Sequence, residues 1–375
     1  MSSERYIGLL SGTSMDGVDA ALVDLSGSRM RLLATHSAAF PPDLRDALLL
    51  LIEGHVTLTQ IAAADVRLGH LFAAAATALL EVAACAPRDV RAIGSHGQTV
   101  WHQPEGETPT SLQLGDANII AERTGITTVA DFRRRDLAAG GQGAPLATAF
   151  HAAALRGRGE DRAVLNVGGI ANLSTLPADP AAQVLGFDTG PGNVLMDGWI
   201  RRHLGRNRDD DGAWGASGQV NDALLQGLLA DGYFSRPPPK SSGREYFHLG
   251  WLERAVAATG RAIAPQDVQA TLCELTAVSV ARAVKKYLPG ARRLLVCGGG
   301  AHNRALMNRL RRHLPGCTVS DTRAVGLDPD WMEAMAFAWL AQQHLNGRAG
   351  NLPSVTGAAH PAILGAVYPG DSAEG

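Results

Sequence analysis

The sequence predicts an α/β protein of two domains, each headed by the same unit of strand, glycine-rich turn, strand and strand. Three observations carry that prediction. The chain has 375 residues, more than one hydrophobic core usually serves. Short β-branched or apolar runs alternate with longer helical runs along most of it. The order of signals that opens the chain recurs from about residue 162. The expected division is a first domain of residues 1–158, with 355–375 packing back on it, and a second of residues 159–354.

Taken in order, residues 6–11 and 20–25 read as strands joined by Gly12-Thr13-Ser14-Met15-Asp16-Gly17-Val18-Asp19, a turn rich in the residues a hairpin requires. A third strand at about 30–35 makes an antiparallel meander. Helical runs follow at about 42–53 and 61–84, the second rich in alanine, a strong helix former. Residues 92–96 read as a short buried strand ending in Ser95-His96-Gly97-Gln98-Thr99. A helix is expected at 112–123 and a β-branched strand at 126–130. Asp131 to Asp136 and the glycines around Gly140-Gly141-Gln142-Gly143 then read as a basic loop that lets a ligand approach the backbone.

In the second half, residues 163–167 repeat the first strand and Gly168-Gly169-Ile170-Ala171-Asn172 the first turn. Residues 173–176 and 183–187 stand for the second and third strands. The last of these leads through Asp188 into Gly190-Pro191-Gly192-Asn193 and a helical run at 194–204. Amides at such a helix start can face an anion. Locally, Asp188 suits a catalytic acid beside phosphates and a mere turn-closer equally well. Pro237-Pro238-Pro239-Lys240 breaks regular structure, with Tyr246, Phe247, His248, Trp251 and Leu252 as its anchors. A long helix is expected at 265–287, started by Pro265 and stopped by Pro289-Gly290. A buried strand at 293–297 meets the turn Gly298-Gly299-Gly300-Ala301-His302-Asn303. The apolar helix near 330–341 has Asp330 as its expected N-cap and Glu333 completing a capping box. The tail after Asn346 is loop-like.

Composition excludes several classes. Hydrophobic content of 46% with 19% charged residues is that of a globular chain and not a disordered one. A net charge of -2 gives no electrostatic reason to expect nucleic acid or an anionic membrane as partner. Cys85, Cys273, Cys297 and Cys317 form no CxxC pair, which suits a reducing compartment. No basic-then-apolar leader is evident, and no stretch approaches the ~20 apolar residues of a membrane span, so the cytoplasm is the expected location.

The P-loop, the dinucleotide GxGxxG, the GxSxG elbow, HExxH and the protein-kinase set are all missing. Three glycine turns remain, Gly12–Asp19, Gly186–Asn193 and Gly298–Asn303, each after a predicted strand. Together they suit a nucleotide between two related domains, two turns on phosphates and one against the adenosine; three unrelated loop turns are the bland alternative. Asp16, Asp19 and Asp188 are sensible oxygen ligands for Mg²⁺, directly or through water.

Gly12-Thr-Ser-Met-Asp-Gly-Val-Asp19, Ser95-His-Gly-Gln-Thr99, Ala139-Gly-Gly-Gln-Gly-Ala-Pro145, Asn166-Val-Gly-Gly-Ile-Ala-Asn172, Phe187-Asp-Thr-Gly-Pro-Gly-Asn193 and Cys297-Gly-Gly-Gly-Ala-His-Asn303 resemble, in order, the motifs of the anhydro-N-acetylmuramic acid kinase family. The resemblance spans about residues 8 to 340. It implies the two-domain actin-like ATPase fold, a duplicated ribonuclease H-like motif with the active-site cleft between the domains. It also implies that ATP and water open the 1,6-anhydro ring of anhydro-N-acetylmuramic acid to give N-acetylmuramic acid 6-phosphate, in the recycling of peptidoglycan.

The family assigns the attacking water to the aspartate at Asp188. The resemblance directs Gly12, Thr13, Ser14, Met15, Asp16, Gly17, Val18 and Asp19 to the nucleotide, with Gly168, Gly169, Asn172, Gly190, Gly192, Asn193, Gly298, Gly299, Gly300 and Asn303. His96, Asp131, Arg133 and Glu333 are the candidates for the sugar, Arg133 for its lactyl carboxylate. A strand-end histidine and a helix cap are equally good readings of His96 and Glu333. A homodimer is common in the family. Another sugar or acid kinase of the same fold, or an actin- or chaperone-like nucleotide-dependent binding module, are the alternatives.

Overall fold

The structure is a computed structural model that describes residues 4–12, 15, 17–27, 30–54, 56–243 and 245–370. The chain forms two compact units, Met1–Ala154 with Trp331–Gly375, and Leu155–Asp330. The sequence places these crossings at 158 and 354. The second comes earlier in the structure because the helix Met332–Leu345 packs on the first unit's sheet.

The first unit supplies β1 (Arg5–Ser11), β2 (Gly17–Asp24), β3 (Arg31–Ala39), β4 (Val90–Gln103), β5 (Thr110–Leu114) and β6 (Thr128–Ala130). The second supplies β7 (Arg162–Val167), β8 (Ile170–Leu176), β9 (Leu185–Pro191), β10 (Arg293–Cys297) and β11 (Thr318–Asp321), and the returning chain adds β12 (Ala366–Tyr368) to the first sheet. The sheet orders are β12-β6-β4-β1-β2-β3, with β5 on β4, and β11-β10-β7-β8-β9. In the first, β1, β2 and β3 are antiparallel while β4 and β6 run parallel to β1. In the second, β7, β8 and β9 are antiparallel while β10 and β11 run parallel to β7. The repeat read from the opening of each half is therefore a repeat of topology.

Each sheet is covered according to its pattern of small and large residues. Leu68, Phe72, Ala76 and Leu79 of the helix Leu58–Val82 join Ile7, Leu9, Leu22 and Ile93 in one core. The helix Met332–Leu345 lies against β1 and β4 at two glycines. A Cβ on Gly8 would stand 1.8 Å from the Ala334 carbonyl oxygen, and one on Gly94 2.0 Å from that of Phe337. Only glycine allows so close a helix–strand approach. In the second unit Val268, Leu272, Leu275 and Val280 of the helix Pro265–Tyr287 pack with Leu173 and Phe187.

Several expectations change. β4 continues seven residues beyond His96, because β5 pairs with it from Gln98 to Gln103. The expected helix at 112–123 therefore divides into β5 and the helix Ala117–Thr124, capped by Asp116. The basic loop after Asp131 is the helix Phe132–Ala138. The tail contains the helix Pro353–Thr356 and β12. The capping box is absent: Trp331 is the N-cap of the helix Met332–Leu345, without a side-chain cap. Asp330 instead meets His302 Nε2 at 2.7 Å. Leu58–Val82 is, by length and composition alone, apolar enough to cross a membrane, contrary to the sequence expectation, although half of its most apolar window is buried in the fold.

Candidate active site

In the second unit, three glycine-rich segments converge where β7, β9 and β10 end. Gly192 N and Val194 N donate to Gly169 O at 2.9 and 3.0 Å, and Asn193 N donates to Gly168 O at 2.9 Å. Gly298 has φ 74°, and a Cβ there would lie 2.4 Å from Asn166 Oδ1. A Cβ on Gly300 would lie 2.3 Å from Val167 Cγ1, while one on Gly299 would sit 3.7 Å from Asn193 Nδ2. The turns are thus packed backbone against backbone at the carboxyl ends of β7 and β10, where open α/β sheets take ligands.

Two residue-level expectations are narrowed here. The amides of Gly192, Asn193 and Val194 open the helix Val194–Leu204, but each already donates to a carbonyl of the facing turn. One N–H makes one strong bond, so these three do not point at an anion. Asn303 is a buried N-cap whose Oδ1 accepts from Leu306 N at 2.9 Å. Its side-chain oxygen serves the helix Arg304–His313.

Asp188 lies on the edge strand β9, beside an irregularity in register. Gly190 pairs with Ala171 and Asp188 with Asn172, leaving Thr189 as the extra residue. Such bulges re-aim side chains and occur often beside active sites. Asn172 Nδ2 donates to Asp188 Oδ1 at 2.9 Å and Ser242 N to Oδ2 at 2.9 Å. Asp188 N donates to Lys240 O at 3.0 Å, and Tyr233 Oη to Asp188 O at 3.0 Å. Burial raises the carboxyl to about 6, opposed by the bonds from Asn172 and Ser242 and by the charge of Lys240. Asn172, expected near the nucleotide, is thus a support of Asp188. The strap containing Lys240 and Ser242 carries little of the family resemblance, and no signal in the sequence ties it to Asp188. Of its expected anchors, Tyr246 Oη and Trp251 Nε1 reach the two carboxylate oxygens of Asp231 at 2.6 and 2.8 Å.

In the first unit, Thr13, Ser14 and Asp16 lie outside the described residues. Met15 and Val18 are 3% and 0% exposed and belong to the core, so only their backbone is available to a ligand. Gly17 has no room for a side chain, since its Cβ would stand 2.3 Å from Ala38 O. Gly12 O accepts from Met15 N at 3.2 Å. Asp19 sits on β2 and accepts from Ser37 Oγ at 2.6 Å.

The structure joins two of the four sugar candidates directly. Arg133 Nε and Nη2 donate to His96 Nε2 at 3.1 and 2.8 Å, and Arg133 Nη1 donates to Gly143 O at 2.8 Å. His96 is buried, in a tilted ring contact with Phe337 at 4.6 Å, and held well below its ordinary pKa by burial and then by the neighbouring guanidinium. A neutral ring can accept from Arg133 at Nε2. Burial brings Arg133 down to about 10, with Glu333 and Asp136 opposing. Five N–H groups less three bonds leave one donor on each terminal nitrogen, a number suited to a carboxylate. Asp131, at φ 59°, instead pairs with Arg134 at 2.8 Å. Glu333 is exposed on the first turn of its helix. Sequence reading missed Asp136, a fully buried carboxylate that ties Gly143, Asn351 and Thr356 together.

Two sheets of one strand order, each bordered by glycine turns, define the actin-like ATPase class to which sugar kinases belong. A family model described as anhydro-N-acetylmuramic acid kinase matches residues 4–370. Relatives of that description from Xanthomonas campestris and Coxiella burnetii are 54% and 51% identical, covering 98% and 99% of this chain and the same shares of their own. A third, from Xanthomonas axonopodis, is 55% identical over 98% of this chain and 99% of its own. Among solved structures, a ROK-family glucokinase from Streptomyces griseus aligns with 90% of this chain and 99% of its own at a TM-score of 0.42 and 16% identity; the fold assignment rests on the strand orders instead. The chain belongs to the anhydro-N-acetylmuramic acid kinase family and is a kinase of that amino sugar, using ATP. Neither alternative reading is favoured.

Proposed function

We propose that Asp188 takes a proton from water as that water attacks the anomeric carbon of anhydro-N-acetylmuramic acid. The carbon–O6 bond breaks, O6 accepts the γ-phosphoryl group of ATP, and ADP leaves. The proton ends on Asp188 and the products are N-acetylmuramic acid 6-phosphate and ADP. Capture of O6 by phosphorus avoids a free alkoxide. The observation that carries this reading is the carboxylate itself. It accepts two hydrogen bonds and is partly open to solvent. A carboxylate has about four lone-pair sites, so acceptor capacity remains for water. With a pKa of about 6 it is ionised roughly ten to one at pH 7 and basic enough to take a proton.

The two remaining donors of Arg133, with the side chain held by His96, suit the lactyl carboxylate, and Asp131 and Glu333 are the remaining sugar ligands we propose. Gly168, Gly169, Gly190, Gly192, Gly298, Gly299 and Gly300 supply a side-chain-free surface for the nucleotide, with Gly12–Asp19 for its phosphates. Mg²⁺ belongs to this reading. Asp188 keeps acceptor capacity beyond its two bonds, Asp19 is a second hard oxygen donor, and the ion commonly uses only one or two carboxylates beside phosphates and waters. Asp16, Asp19 and Asp188 would hold it, directly or through water. The ion would neutralise charge on the phosphates. We further infer a cytoplasmic homodimer without nucleic-acid or membrane partners, supported by the near-neutral net charge and the family.

Turnover in ¹⁸O-water tests the scheme. Label is expected on the anomeric hydroxyl of the product. Label in phosphate would mean that ATP is hydrolysed separately and would overturn the coupled reaction.

A further inference from the structure

The hairpin of β4 and β5 carries a ladder of polar side chains that the proposed reaction leaves unused. Thr99 pairs with Gln113, Trp101 with Leu112 and His102 with Ser111, which leaves Val100 as an extra residue in β4. Strand alternation alone would put His102 on the face opposite Thr99. The extra residue turns it onto the same face, as bulges do. There the side chains meet. Gln113 Nε2 donates to Thr99 Oγ1 at 3.2 Å and to Ser111 Oγ at 2.7 Å, and Ser111 Oγ lies 2.9 Å from His102 Nδ1.

The ladder stands beside Arg133. The helix Phe132–Ala138, which carries Arg133, packs against β5. β4 itself supplies His96, which accepts from the guanidinium. Partial burial, and then the charge of Arg133, bring His102 down to about 4, so its ring is neutral at pH 7. His102 is nonetheless exposed, and with Nδ1 committed to Ser111 its Nε2 is left for a ligand.

We propose that His102 is a binding residue for the sugar, its Nε2 meeting the acetamido group of anhydro-N-acetylmuramic acid. This rests on the reading of Arg133 as the partner of the lactyl carboxylate. The lactyl ether and the acetamido group stand on neighbouring ring carbons of that sugar. A molecule whose carboxylate is on Arg133 therefore presents its acetamido group to the side chains next to Arg133. An acetamido group offers both an N–H and a C=O, so one of them matches Nε2 in either tautomer of the neutral ring. The guanidinium answers the charge of the sugar and His102 reads its N-acetyl substituent, while Ser111 and Gln113 hold the ring in orientation.

The test is the KM for the sugar in His102→Asn and His102→Gln beside the unaltered enzyme. The asparagine amide reaches the place of Nδ1 and keeps the link to Ser111, whereas the glutamine amide reaches the place of Nε2. His102→Asn should raise the KM roughly threefold to tenfold, the worth of one neutral hydrogen bond, with kcat and the KM for ATP close to normal. His102→Gln should recover most of that loss. The acetamido assignment is read from the calorimetric Kd of 1,6-anhydromuramic acid, which lacks the acetyl group and on which the His102→Asn penalty should disappear. A normal KM in both variants, equal losses in both, or a penalty undiminished on the de-acetylated sugar would overturn the proposal. Arg133→Lys separates it from the reading beneath it. An unchanged KM there removes the sugar from this face altogether, whereas a raised KM with a normal His102→Asn rejects His102 alone.

Discussion

Asp136 and Asp188 are two buried or partly buried carboxylates in different units, and the fold engages them to different extents. Asp136 is 0% exposed and accepts from Gly143 N at 2.7 Å, Asn351 Nδ2 at 2.6 Å and Thr356 Oγ1 at 2.8 Å. Its donors come from two separate stretches of chain, Gly143 in one and Asn351 with Thr356 in the other, and its acceptor capacity goes to holding them. Asp188 accepts two bonds, keeps contact with solvent, and is raised to about 6. The difference teaches that burial does not identify a reactive acid. What matters is acceptor capacity left over after the fold has taken its share.

The same substitution made at both places is the sharpest way to break the comparison. Asp188→Asn should lower kcat by ~10²–10⁴-fold while leaving ATP and sugar binding close to normal. It should move the melting temperature at pH 7 little, because relief of the buried charge is offset by the one donor, Asn172 Nδ2 or Ser242 N, that an amide leaves unmet. A carboxyl whose pKa is raised from 3.8 to about 6 on folding costs stability above pH 6. That cost is up to about 3 kcal/mol, and it disappears as the pH falls toward 3.8. Asp136→Asn should do the reverse. An amide cannot accept from three donors, and each group left unsatisfied costs about 1–3 kcal/mol. Denaturant melts should show a loss of that order, with the kcat of the folded fraction retained. A stabilised Asp136→Asn or an active Asp188→Asn would dissolve the distinction.

A smaller effect concerns the acid limb of the unaltered enzyme. If the free carboxylate of Asp188 is the base, kcat/KM should fall about tenfold per pH unit below pH 6 and level above it. A flat profile between pH 5 and 7 would remove the base role. The smallest expected effect is at Arg133→Lys, where one ammonium cannot serve His96, Gly143 and a carboxylate together. Loss of a charged hydrogen bond worth about 1.5–3 kcal/mol should raise the KM for the sugar roughly tenfold to a hundredfold with kcat less affected. An unchanged KM would take Arg133 out of the sugar site.

Much of the fold was legible. The meanders β1-β2-β3 and β7-β8-β9, the strand β10 and the helix Pro265–Tyr287 follow from turn chemistry and periodicity within short windows. The errors lie where a distant partner decides. Residues 98–103 extend β4 because β5 pairs with them, and 110–114 become strand for the same reason. Asp330 was a plausible cap by composition, yet His302, 28 residues away, takes its carboxylate.

The sequence by itself determined the family, the duplicated domain head and the candidate Asp188, because motif order and local turn signals are properties of neighbours in the chain. Tertiary structure alone decided which polar groups still have capacity to act. It consumed the amides of Gly192 and Asn193, turned Asn303 into a helix cap, joined His96 to Arg133, and brought Lys240 and Ser242 against Asp188 from more than fifty residues away. A hydrogen-bond donor or acceptor is available only after every closer partner has been satisfied, and those partners are set by packing and not by sequence spacing.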